Sequence, residues 1–221
     1  MIYGTPTTVT NGLVLYLDGS NLKSYVSGST IWNDISGLGS RGTLINGPTF
    51  NTGSGGGIAF DGVDDHIIIP SNTAFNTTQP TVELIATVST NGGNILARGQ
   101  YGVNWNFGVG IRSTSILARN NNGDAIFSVT NSGIVHITVT WDGSGNQFYK
   151  NGEYLGRTTT AYSPVQGGDI TIGGVRSQAP SQNLQEFANS IVYSLKIYNR
   201  ALTAQEILQN YNATKSRFNL S

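Results

Sequence analysis

Ser190-Ile-Val-Tyr-Ser-Leu-Lys-Ile-Tyr-Asn-Arg-Ala-Leu-Thr-Ala-Gln-Glu-Ile-Leu208 is a strand that turns directly into a capped helix. Ile191, Tyr193, Leu195 and Ile197 fall on one side of an extended chain, and Val192, Ser194, Lys196 and Tyr198 on the other. That period of two predicts a pleated strand. Asn199 to Leu202 break it, and Thr203-Ala-Gln-Glu206 is a capping box, in which the Thr203 hydroxyl and the Glu206 carboxylate satisfy each other's backbone amides. Ile207, Leu208 and Tyr211 then give a short helix one apolar stripe, and the helix is expected to pack against one end of the sheets.

Upstream of this run, short apolar segments alternate with Gly, Asn, Asp and Ser punctuation. Leu13–Leu17 reads as a first strand. Gly57–Asp61 and His66–Ile69 flank the turn 62–65, and Thr81–Val88 and Asn94–Arg98 straddle Asn91-Gly-Gly93, a hairpin signal. In Val103–Ile111 the odd positions are apolar and the even ones are Asn or Gly, so one face is bare of side-chain bulk. Ile116–Arg119 and Ala125–Val129 follow, and Ile134–Trp141, Gln147–Lys150 and Tyr154–Arg157 form a meander. About a dozen short strands with local turns predict a two-sheet antiparallel sandwich rather than a parallel α/β sheet. No linker interrupts residues 12–221, which read as one domain behind an extended, Thr-rich arm, 1–11, expected to pack on a partner.

Twelve basic and twelve acidic residues give a formal net charge of zero, which argues against a nucleic-acid partner. The absence of cysteine excludes disulfides, thiol catalysis and zinc–thiolate sites. Residues 1–6 have neither a basic n-region nor an apolar h-region, and no apolar run reaches transmembrane length. The expectation is a cytoplasmically made protein with no signal peptide and no membrane partner.

Gly12–Asp18, Trp32–Gly37, Gly42–Pro48, Phe60–Asp65, His136–Gly143, Phe148–Gly152, Ile172–Gly174 and Lys196–Leu202 stand in an order that resembles the laminin-G-like, concanavalin A-like jelly-roll family. The resemblance covers nearly the whole chain. It implies an all-β, two-sheet antiparallel jelly-roll sandwich with a short C-terminal helix. The tail Ile207–Phe218 is similar to endings of laminin-G-like proteins of tailed bacteriophage particles. Many members carry an Asp-Glu pair in the last strand; the matching positions here are Tyr193 and Ser194, so a metal or ligand role for that pair does not transfer.

The chemistry-bearing residues are few. No strand carries the spaced carboxylates of a glycosidase, and no Ser has Gly two positions to each side, so an enzyme is not expected. Asp61, Asp64 and Asp65 form the densest acidic cluster, which either holds Ca²⁺ as oxygen ligands or builds Asx turns between two strands. His136, alternating with Thr138 and Thr140, reads as a half-buried sheet histidine or as a ligand. Trp32, Tyr101 and Tyr162 lie next to loops and are the candidate glycan-stacking rings. Together with the resemblance, these features predict a non-enzymatic bacteriophage virion protein, a capsid decoration or accessory protein without a required cofactor. Its expected partners are capsid or tail subunits, with self-association left open. The alternative is a carbohydrate-binding module for surface glycans, possibly in a tail or fibre.

Overall fold

The computed structural model describes residues 7–99, 106–120, 122–160, 162, 167–176 and 184–220. In chain order the strands are β1 (Leu13–Asp18), β2 (Ile31–Asn33), β3 (Arg41–Ile45), β4 (Thr49–Asn51), β5 (Gly57–Asp61), β6 (His66–Ile69), β7 (Thr81–Thr87), β8 (Leu96–Arg98) and β9 (Phe107–Arg112). They continue as β10 (Ser115–Asn120), β11 (Gly123–Ser128), β12 (Ile134–Trp141), β13 (Asn146–Lys150), β14 (Glu153–Thr158), β15 (Ile170–Ile172), β16 (Val175–Arg176), β17 (Leu184–Gln185) and β18 (Asn189–Tyr198). Helix α1 (Ala204–Phe218) follows.

Two antiparallel sheets face each other. The first runs β14-β13-β12-β7-β18-β5-β4, with β1 also paired to β18; the second runs β11-β10-β9-β8-β15-β6-β3-β2. The predicted meander is β12-β13-β14, and β10 and β11, which hold the predicted strands Ile116–Arg119 and Ala125–Val129, pair with each other. Side chains of alternate parity fill the space between sheets. Val135, Ile137, Val139 and Trp141 of β12 meet Phe107, Val109, Ile111 and Ile116 of the opposite layer in one core. Each such side chain contributes about 1.5–3 kcal/mol when removed from water.

Three local expectations change. A register shift between Val192 and Ser194 breaks the alternation of β18. Val192, Leu195 and Ile197 point into the core, whereas Tyr193 lies outside it against Phe218. A strand that holds strict parity cannot do this; a bulge re-aims every side chain after it. Second, Asn91-Gly-Gly93 is not a hairpin, because β7 lies in the first sheet and β8 in the second. It is a crossing between layers, as is the turn 62–65 between β5 and β6. Third, α1 lies across the outer face of the first sheet rather than at its end. Ile207 packs with Val9, Tyr149, Tyr198 and Leu202, and Phe218 with Ile85 and Tyr193. The buried stripe is Ile207, Asn210, Tyr211, Thr214 and Phe218, while Leu208 is 44% exposed.

The described part of the arm also departs from expectation. Val9 joins the apolar cluster under α1, its N–H donates to Asn210 Oδ1 at 2.8 Å, and its carbonyl accepts from the Tyr198 hydroxyl at 3.1 Å. Gln209 Nε2 donates to the Thr7 carbonyl at 2.7 Å. Thr7 and Val9 are thus held by this chain's own helix and sheet.

The predicted capping box is present, and Arg200 adds a second clamp, its NH1 donating to Glu206 Oε2 at 2.9 Å. The Arg200 hydrogen bonds, helped by those from Thr203, pull the Glu206 carboxyl down to about 2. A depressed acid stabilises the fold above its ordinary range, and that contribution is lost as pH falls from the ordinary carboxylate range toward 2. Glu206→Gln is therefore expected to unfold more easily than wild type at pH 6 and to show a shallower stability decline between pH 5 and 2.5. Urea midpoints at the two pH values check this; parallel declines would refute it.

Between α1 and the first sheet lies a sealed polar layer. Glu83 of β7 hydrogen-bonds Lys196 of β18 through Oε1 and accepts from Asn210 Nδ2 through Oε2 at 2.7 Å. His136 Nε2 stands 3.4 Å from Glu83 Oε1, and the Lys196 amine sits 5.0 Å from the Tyr16 ring centroid. His136 is fully buried beneath the Tyr211 ring, not half-buried as its alternation suggested. Burial alone would raise the Glu83 carboxyl, but Lys196 and then His136 outweigh it and hold the group well below the usual carboxylate range.

Candidate functional site

The two crossings between layers come together at one corner of the sandwich. Gly62 from the β5–β6 turn and Asn91, Gly92 and Gly93 from the β7–β8 connection line a cleft of about 490 Å³ with Arg112, Arg119, Glu186 and Phe187. Asn91 stitches the segments together. Its Nδ2 donates to the Phe187 carbonyl at 2.8 Å, and its Oδ1 accepts from Ser89 Oγ at 2.9 Å and from the Asn189 N–H at 3.1 Å. Such a side chain supplies the connection with the hydrogen bonds that a ladder would otherwise give it.

Arg112, at the end of β9, donates from Nε to the Gly92 carbonyl at 3.1 Å. Arg119 of β10 is clamped between two carboxylates, with Nε 3.2 Å from Asp124 and NH1 2.6 Å from Glu186. Glu186 also accepts a hydrogen bond from Asn94 Nδ2. Glu186 has φ +51°, a left-handed conformation uncommon outside Gly, Asn and Asp. Its two side-chain partners hold it there. Phe187, next in sequence, presents a partly exposed ring 6.2 Å from His66. The cleft therefore offers an aromatic ring, two guanidinium groups and a carboxylate, all fixed by neighbours. Chemically, such a set can hydrogen-bond a polar ligand and pack against a flat apolar face.

The residues singled out in the sequence fare differently. Trp32 is 0% exposed, edge-on to Tyr25 in the main core. Tyr162 is 7% exposed, 5.9 Å from Trp141, and burial pushes its phenol pKa up. Neither ring can stack on a sugar, because each is covered by the sandwich it helps to fill. Tyr101 lies outside the described residues. Among the described residues, Tyr154 on β14 is the aromatic most open to solvent, 53% exposed.

Asp61, Asp64 and Asp65 do converge, with one carboxylate oxygen of each within 4.8 Å of the others, beside Gly62. They are the described residues that could hold a divalent cation. Two of them already serve the turn: the Val63 N–H donates to Asp61 Oδ1 at 2.8 Å, and the Asp61 N–H to Asp65 Oδ2 at 3.1 Å. The Val63 hydrogen bond accounts first for the lowered pKa of Asp61, whereas burial raises that of Asp65. Tyr193 and Ser194, which replace the acidic pair of relatives, are buried beside the bulge.

Sequence reading missed Arg112, Arg119, Glu186 and Phe187, which come from strands and a segment far apart in the chain. The legible signal was in the loop: Asn91-Gly-Gly93 marked a tight backbone but not what it is tight against.

A family model described as the concanavalin A-like lectin/glucanases superfamily matches residues 61–208. No curated protein matches the chain. The binding domain of Paraclostridial Mosquitocidal Protein 1 superposes with a TM-score of 0.70 at 16% identity, covering 92% of this chain and 52% of that one. Trypanosoma rangeli sialidase in complex with sialic acid gives 0.67 at 18% identity, over 93% and 33%. The botulinum neurotoxin type G receptor binding domain gives 0.67 at 16%, over 91% and 51%. At these identities the likeness is one of fold, and the chain spans about half of the toxin domains and a third of the sialidase.

Proposed function

Because this chain belongs to the concanavalin A-like lectin/glucanase superfamily, we propose that it is a non-enzymatic recognition module of a tailed bacteriophage particle. It decorates the capsid exterior and meets surface saccharides through the corner cleft. The observation that carries the recognition half is the cleft itself, with Arg112, Arg119, Glu186 and Phe187 held around one opening. Glycoside hydrolysis needs two carboxylates flanking one bond, about 5–10 Å apart. Of the lining residues only Glu186 is acidic, and Arg119 neutralises it at 2.6 Å. That arrangement suits holding a ligand rather than cleaving it. Two of the similar folds are named as binding domains, and a third was captured with sialic acid.

The particle setting rests on the similarity of Ile207–Phe218 to the endings of phage laminin-G-like proteins. A near-neutral surface built on Asn, Ser, Thr and Gly also suits dense display on a shell. The sheet face beneath α1 is already covered by the helix and Val9, so attachment through the sandwich itself would use another surface.

Glycan-array binding by the wild-type chain is expected to fall at least about tenfold in Phe187→Ala, the loss of one stacking ring, and to fall again in Arg119→Ala. An array silent for the wild type would remove the recognition half. Mass-spectrometric quantification of purified particles should find the protein at a fixed ratio to the major shell subunit; its absence would remove the particle half.

A further inference from the structure

The sealed layer beneath α1 sets out three side chains as reactants. Through Oε1, the Glu83 carboxylate touches the Lys196 amine; through Oε2, it touches the Asn210 carboxamide nitrogen, at 2.7 Å. One carboxylate thereby bridges a nucleophilic nitrogen and a nitrogen able to leave as ammonia. The carboxamide oxygen, Asn210 Oδ1, accepts from the Val9 backbone N–H at 2.8 Å. A fixed N–H at that oxygen is what a carbonyl needs when an incoming amine drives charge onto it. Asn210 Nδ2 also meets the Tyr198 hydroxyl at 2.9 Å, which helps fix the amide plane. Glu83, Lys196 and Asn210 are each at most 1% exposed, so no solvent shell competes with the amine. The ion pairs of Arg119 with Glu186 and Arg200 with Glu206 use guanidinium, which is not a nucleophile.

We infer that Lys196 and Asn210 join in an intramolecular amide bond, with Glu83 as the catalytic proton carrier. A proton passes from Lys196 Nζ to Glu83 along their hydrogen bond, and the freed amine attacks Asn210 Cγ. The carbonyl electrons move to Oδ1, where the hydrogen bond donated by the Val9 N–H stabilises the developing charge. Glu83 then delivers its proton to Nδ2 and takes another from Nζ. The Cγ–Nδ2 bond breaks as the carbonyl re-forms, and ammonia leaves. The ammonia carries off the extra proton as ammonium, and Glu83 returns to carboxylate. The Nζ–Cγ bond replaces the Cγ–Nδ2 bond, and no oxidant or cofactor enters. The product ties the middle of α1 to β18, fastening the helix to the sheet that it covers.

The test is the intact mass of the purified full chain under denaturing conditions, expected about 17 Da below the sequence mass through loss of ammonia. Asn-Gly pairs such as Asn46-Gly47 and Asn151-Gly152 can lose ammonia by cyclising on themselves, so the position of the deficit decides. Trypsin should release residues 177–200, uncut after Lys196, joined to residues 201–215. Lys196→Arg keeps the charge but has no amine to give, and is expected at its full sequence mass. A wild-type chain at its full sequence mass would overturn the inference. So would a deficit confined to an Asn-Gly peptide, or one that persists in Lys196→Arg.

Discussion

Lys196→Met is expected to be the most damaging single substitution in the molecule, and adding Glu83→Leu to it is expected to restore stability. Neither variant can form the Lys196–Asn210 amide, so their difference does not depend on that bond. In the single variant Glu83 stays beneath α1 at 1% exposure with its cationic partner gone. Leaving one member of a buried pair uncompensated costs about 3–5 kcal/mol, whereas replacing both members with apolar groups of similar size is close to neutral. The double variant should therefore exceed the single by about 3 kcal/mol in urea unfolding at pH 7. It should not fully match wild type, because it lacks the Lys196–Asn210 amide and His136 loses the carboxylate that it faces.

The pH dependence has opposite signs in the two cases. Before the amide forms, the Lys196 charge holds the wild-type Glu83 carboxyl low, which stabilises the fold at neutral pH, and that contribution fades as pH falls below the ordinary carboxylate range. In Lys196→Met the largest attraction is gone and burial dominates, raising Glu83. A raised acid favours the folded state when protonated, so the deficit of the single variant should shrink between pH 8 and pH 5. A single variant as stable as the double, with no gain at acid pH, would show that the layer is not sealed.

Much of this molecule was readable before its coordinates. The β12 alternation placed Val135, Ile137, Val139 and Trp141 in the core, and the Thr203–Glu206 spacing fixed where α1 begins. Both depend on interactions within a few residues, which sequence spacing expresses directly. The bulge at Val192–Ser194 was not readable, because its cause is a partner strand 106 to 109 residues away: Ala86 and Ile85 of β7 set the register there. The sealed layer was hidden for a related reason. Glu83 is the one acid of β7, and only the pairing of β7 with β18 and the docking of α1 bring Lys196 and Asn210 to it. Trp32 and Tyr162 were placed by their loop-side positions, yet burial depends on which segments close over them.

The glycines at the cleft separate a turn from a close approach, and the second large effect follows from that difference. In a hairpin the glycine with a left-handed backbone would be the sensitive one, which here is Gly92 at φ +75°. A methyl group on Gly92 would meet nothing nearer than Arg112 Nε at 3.8 Å, so Gly92→Ala should cost only the left-handed penalty, about 1–2 kcal/mol. Gly93 has no such backbone requirement, but a methyl group there would stand 2.1 Å from the Phe187 carbonyl oxygen and 2.4 Å from its carbon. That backbone cannot step aside cheaply. The Phe187 carbonyl accepts from Asn91 Nδ2, and the Ala188 N–H donates to the Gly173 carbonyl at 3.0 Å. Gly93→Ala is therefore expected to cost about 3 kcal/mol or more, at the upper end of overpacking. It should also weaken saccharide binding, since Glu186 and Phe187 are the residues displaced. Urea unfolding of the two alanine variants, with array binding on the same samples, makes the comparison. If Gly93→Ala proves no more costly than Gly92→Ala, the connection is a simple turn, and the cleft is not held in shape by backbone contact.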